Sequence, residues 1–128
     1  MYRNILVPLV FDHGERGAAS LKVARTLLDK GGTITLMTVL EDIPEDLAQH
    51  HEKEAMAGLK EIAESAGGSV RTVVIHGRAY SRILQYSKNH DTDCIVTDSH
   101  KPGFEDYFLG SRAPRVVRHA QCGVHVLG

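Results

Sequence analysis

The chain has 128 residues, 42% of them hydrophobic, and sets 15 Lys plus Arg against 16 Asp plus Glu for a net charge of −1. That length and apolar content suit a single domain over residues 1–128 with one buried core, and the near-zero charge lacks the positive field that nucleic acid demands of a partner. No apolar run approaches the roughly 20 residues that span a bilayer, and Met1 leads to Arg3 and a short strand without a signal-peptide core, so no membrane association and a cytoplasmic location are expected.

In chain order, Ile5-Leu6-Val7 reads as a short buried strand, and residues 14–30 place Ala18, Leu21, Ala24 and Leu28 on one helical face before Gly31-Gly32 stops the helix. Residues 33–40 read as a second strand. Pro44-Glu45-Asp46 is an ordinary helix entrance, with acidic residues in the first turn. The helix it opens, over 45–66, puts Ala55, Leu59, Ile62 and Ala66 on one face and ends at Gly67-Gly68. Residues 69–76 form a third strand, and 79–90 a helix using Ile83, Leu84 and Ser87. Residues 94–97 form a fourth strand and 123–127 a fifth.

Between the last two strands, Gly110 allows close backbone approach to a ligand and Ser111 is a good N-cap for a fourth helix running to about His119. Free N–H groups and a hydroxyl converge at such a helix start and attract anions. Arg112 lies nearest that start, where a charge-assisted contact to phosphate is within reach. Arg115 and Arg118 belong to the solvated face, with Val116 and Val117 turned toward the sheet. Five strands alternating with four helices imply a doubly wound α/β domain: a mostly parallel sheet, helices on both faces and right-handed crossovers. Ligands of such sheets lie beyond the carboxyl ends of the strands, where the strand order switches.

Cys94 and Cys122 stand 28 positions apart in apolar strand patterns, which suits buried, reduced thiols rather than a redox pair or zinc cluster. The eight His residues show no ligand spacing, so no metal site is expected. Asp98-Ser99-His100 holds the residue types of a hydrolytic triad, but three consecutive residues leaving a strand cannot fold onto one another as nucleophile, base and orienter. No GxxxxGK[ST] or GxSxG pattern is present, so no catalytic residue is assigned and the activity expected is at most a slow ATPase.

Leu109-Gly110-Ser111, then Arg115-Val116-Val117-Arg118-His119-Ala120, then the run from Cys122 to Leu127 closely resemble the C-terminal third of the universal stress protein family. Tyr2 to Pro8 resembles the family's opening strand, Leu36 to Val39 its second and Asp93 to Val96 its fourth, so the resemblance covers nearly the whole chain. It implies strand order 3-2-1-4-5 and a ligand site between strands one and four, drawing on Pro8, Leu9, Val10, Asp12, Val39, Thr97, Asp98, Ser99, His100, Lys101, Gly110, Ser111 and Arg112. It also implies a small stress-response regulator that binds ATP, ADP or AMP, with Mg2+ accompanying a triphosphate. Val39 would lie against the base, Asp98 near the ribose, and Gly110, Ser111 and Lys101 around phosphate. Family members pair the last strand antiparallel across a twofold axis, which implies a homodimer through Cys122 to Leu127.

Members that bind ATP carry Gly, two residues, Gly, nine residues, then Gly-Ser or Gly-Thr. Counting back from Gly110 puts His100 and Thr97 where the earlier glycines belong, so only Gly110-Ser111 matches. Lys101-Pro102-Gly103 resembles a Lys-Pro variant of the loop, some of whose bearers hold nucleotide. Val10 stands where ATP-binding members carry Asp, and Asp12 is the nearest substitute carboxylate. If the Asp98 carboxylate faces phosphate, the repulsion at about 4 Å costs about 1 kcal/mol in bulk water and several times more at a partly buried site. Two readings follow: a weak or selective adenine-nucleotide binder, and a nucleotide-free homodimeric module whose output is contact with another, unknown protein.

Overall fold

The computed structural model describes residues 1–9, 14–41, 43–66, 69–98 and 120–127. The elements are β1 (Tyr2–Leu9), α1 (Gly14–Leu27), β2 (Leu28–Leu40), α2 (Glu45–Ala66), β3 (Val70–His76), α3 (Ala79–Asn89), β4 (Cys94–Asp98) and β5 (Gly123–Leu127). They build one parallel sheet in the order β3-β2-β1-β4-β5, the doubly wound arrangement expected. Three helices lie among the described residues where the sequence predicts four. The fourth, expected over 111–119, falls outside them.

The strands read as apolar runs because both faces of the sheet are covered. Ile5, Val7, Ile34, Leu36, Cys94 and Val96 face Leu21 and Ala24 of α1 and Leu59 and Ala63 of α2. Their immediate neighbours Leu6, Met37 and Ile95 face the other way, onto Ala79 and Ile83 of α3. The switch of side at every residue is the strand period of two. Burying each such aliphatic side chain contributes about 1.5–3 kcal/mol, and Ile5, Val7, Leu36 and Ile95 are fully enclosed.

Helix α2 occupies the expected residues 45–66, but α1 ends at Leu27 instead of Lys30. Leu28, Asp29 and Lys30 belong to β2, where Leu28 pairs with Tyr2 before the register shifts and resumes at Asn4↔Thr33. The glycine pair thus sits inside the irregular entry to a strand rather than after a helix, with Gly31 at φ +84°, a conformation open to glycine. The buried face of α1 also differs. Ala18 is exposed, while Gly17, Ser20, Leu21 and Ala24 point inward. A Cβ on Gly17 would stand 2.9 Å from Leu9 Cδ1 and 3.1 Å from Ile62 Cδ1, so a side chain there would require the ends of Leu9 and Ile62 to shift.

The amino end of the sheet is closed by Asp93. Its carboxylate accepts from Arg3 N at 2.9 Å and Asn4 N at 3.0 Å, and its own N–H donates to Asn4 O at 2.9 Å. Asn4 Nδ2 donates to the carbonyls of His90 (2.7 Å) and Asp91 (3.2 Å), and Gly123 N donates to Asp93 O at 3.2 Å. The side chains of Asn4 and Asp93 therefore tie β1 to the start of β4 and the end of α3, and the Asp93 backbone adds β5. Both cysteines are free, with Cys94 buried and Cys122 part-exposed. Burial, then the neighbouring Cys122 and Asp93, push the Cys94 thiol up to about 11. The Cys122 thiol is raised by burial and then by Asp93.

Candidate functional site

The strand order reverses between β1 and β4, so the carboxyl ends of β1, β2 and β4 frame the crevice where doubly wound sheets take ligands. Leu6, Met37 and Ile95 form a buried layer on the α3 side of the sheet. Two residues further along each strand, the alternation returns to that side at Pro8, Val39 and Thr97. Pro8 and Thr97 are buried, and Val39 is half-buried against the α3-side core. Pro8, Val39 and Thr97, all chosen from sequence for one ligand, thus lie on one face of the sheet; the β2 residue paired with Pro8 is Met37, so Val39 stands two residues further toward the carboxyl end.

Leu9 lies on the opposite side of the sheet, packed with the α1 and α2 core. Its carbonyl accepts from Thr38 Oγ1 at 3.3 Å in a buried bond that fixes the last rung between β1 and β2. Asp98 ends β4 and pairs with Leu127. Val10, Asp12, Ser99, His100, Lys101, Gly110, Ser111 and Arg112 lie outside the described residues. Among predicted site residues, then, Pro8, Val39 and Thr97 share the α3 face of the sheet and Leu9 does not.

The chain leaving β2 is fastened toward α3. Gly77 N donates to Leu40 O at 3.0 Å, and Ala79 N donates to Glu41 Oε1 at 2.6 Å. Arg78 occupies the N-cap of α3 without a side-chain capping bond, so Glu41, distant in sequence, supplies the acceptor that a Ser or Asp would normally bring. The available signal in the sequence was Gly77-Arg78-Ala79 itself, a helix start with no local capping residue.

At the carboxyl end of β3, His76 Nε2 lies 2.7 Å from Glu52 Oε1 of α2, with both side chains about two-fifths exposed at 39% and 46%. Among the described residues no group of three His, Cys, Asp or Glu side chains is placed to hold a metal ion. No helix among them is long and apolar enough to cross a membrane.

Comparison with known proteins agrees with this architecture. The profile of the Universal stress protein family matches residues 1–128. A universal stress protein of Methanocaldococcus jannaschii is 31% identical over 83 residues, which cover 64% of this chain and 49% of that one; the match therefore spans about half of that relative. Universal stress protein G of Salmonella typhimurium is 27% identical over 144 aligned positions, covering 99% of both chains. Among solved structures, hypothetical protein MJ0577 superposes with a TM-score of 0.80 at 23% identity, over 99% of this chain and 96% of that one. A universal stress protein in complex with cAMP gives 0.74 at 12% identity over 98% and 96%. One from Archaeoglobus fulgidus in complex with dAMP gives 0.72 at 18% identity over 99% and 98%. At these identities the structural likeness is one of fold.

Proposed function

This chain belongs to the universal stress protein family, and on that premise we propose that it is a cytoplasmic stress-response regulator that binds an adenine nucleotide beyond the carboxyl ends of β1 and β4. The observation that carries the reading is that Val39, Pro8 and Thr97, from the three strands around the switch, share the α3 face of the sheet, with Val39 half-buried toward its carboxyl end. Nucleotide complexes of two structural relatives, with cAMP and dAMP, add support. In this reading Val39 contacts the base, Asp98 the ribose, and Lys101, Gly110 and Ser111 the phosphates, with Mg2+ accompanying ATP. Val10 and the shortened glycine pattern weaken the site, so ATP binds less tightly than micromolar, with under about 8 kcal/mol of standard free energy.

The regulator is proposed to act as a homodimer through the β5 edge. That strand closes one side of the sheet and exposes Val126 at 37% of its surface. Sedimentation at micromolar concentration should give a dimer, and a monomer alone would remove the assembly. Mass spectrometry of small molecules released on denaturing the purified protein, followed by ATP titration with Mg2+ on the emptied protein, tests the site. AMP, ADP or ATP at near one per chain, or a saturable titration, supports it. Neither, up to millimolar ATP, would favour the second reading. That reading is a nucleotide-free homodimer acting through protein contact, and Val10 together with the incomplete glycine pattern speaks for it.

A further inference from the structure

Strand alternation carries Met37 and Val39 to the α3 side of the sheet and brings Glu41, the next odd position, to that same side. There its carboxylate accepts from the first amide of α3 at 2.6 Å, while the rung below, Gly77 N to Leu40 O, closes at 3.0 Å. The negative group also meets the positive end of an 11-residue helix. Two consecutive residues after Val39 are thus bound to the segment 77–79, so the chain leaves β2 toward β3 and α3, away from β1 and the crevice. We propose that Glu41 is a positioning residue for the switch-point site: by latching the exit of β2 onto α3, it fixes the Val39 wall against which the ligand lies. The inference rests on the nucleotide reading above.

The role depends on reach more than on charge, and three variants separate the two. Glu41→Gln keeps both length and an acceptor oxygen, Glu41→Asp keeps charge but is one methylene short, and Glu41→Ala removes both. With AMP as probe in equilibrium dialysis, Glu41→Gln should bind within about twofold of the unmodified protein. Glu41→Asp and Glu41→Ala should bind about threefold to tenfold more weakly, as the fraction of chains with the wall in place falls. Exchange of the Ala79 amide should quicken in the same two variants. Asn4→Ala, at the far end of the sheet, should leave AMP affinity unchanged although it weakens the fold.

Equal AMP affinity in all three Glu41 variants would overturn the proposal, as would an equal loss in Asn4→Ala, which would mark a general loosening. Should Glu41→Ala fail to fold, the Gln and Asp pair still decides. If the unmodified protein binds no AMP at millimolar concentration, the nucleotide reading itself fails and the positioning role falls with it. A failure of the latch alone leaves unmodified binding intact.

Discussion

The two ends of the sheet differ in what they leave for a ligand to do. At the amino end the protein meets its own needs: Asp93 accepts from two strand amides, and Asn4 spans two carbonyls at the end of α3. At the carboxyl end, among the described residues, the Thr38 hydroxyl adds a side-chain bond to the β1–β2 ladder, and the exit of β2 is latched sideways by Glu41. The α3 face of the sheet carries Pro8, Val39 and Thr97 at this end. A parallel sheet can spend polar side chains on stability at one end and keep the other available for binding, because its helices and turns alternate between ends.

The sharpest test of that division is Asp93→Ala, which strands the amides of Arg3 and Asn4. It should cost about 3 kcal/mol of unfolding free energy in urea while leaving nucleotide affinity as it was. Lost affinity on the same scale would mean the two ends are coupled.

Next is the buried thiol beside the clamp. The Cys94 pKa rises from 9.0 to about 11 on folding, so the native state holds a proton that the unfolded chain releases. Its stabilising effect is complete below pH 9 and is lost as pH climbs toward 11, by about 2 kcal/mol. Urea unfolding at pH 8.5 and 11 should show that extra loss in the unmodified protein and not in Cys94→Ala; parallel losses would show that the thiol is not shielded.

Thr38→Val keeps shape and removes the bond to the Leu9 carbonyl, for a predicted loss of about 1 kcal/mol in thermal or urea unfolding. A larger loss would mean that the carboxyl end depends on this hydroxyl as heavily as the amino end depends on Asp93. Smallest of all, Glu52→Gln breaks a pair with His76 whose side chains are both substantially exposed, and should shift stability by no more than about 0.5 kcal/mol.

Much of this division was legible in the sequence, for a physical reason. Apolar runs such as Ile5-Leu6-Val7 and Cys94-Ile95-Val96 had to be strands covered on both faces, and α2 declared both of its ends through Pro44-Glu45-Asp46 and Gly67-Gly68. The end of α1 was misread because Leu28 continues the helical period and Gly31-Gly32 serves a strand entry as well as a helix stop. Ala18 was placed inside because a small apolar residue suits either environment, and the true inward position, Gly17, has no side chain to signal it. At the site, Pro8, Val39 and Thr97 were chosen through the family resemblance, and strand alternation accounts for the sheet face they share. Asp93 and Glu41 act on residues 90 and 38 positions away, and pairing at that range leaves no local periodicity to read.

The long reach of the Asp93 clamp has a consequence for how the chain is made. Arg3 and Asp93 are separated by 90 residues, so the second edge of β1 can close only after β2, α2, β3 and α3 have all been synthesised. Closing so long a loop adds only a slowly growing entropy, but contacts of such sequence separation slow folding markedly. During synthesis, β1 can be paired by β2 on one side while its other edge, from Tyr2 to Leu9, stays open. Strand β1 is therefore exposed to wrong partners for longer than β2, which finds both of its neighbours by residue 76.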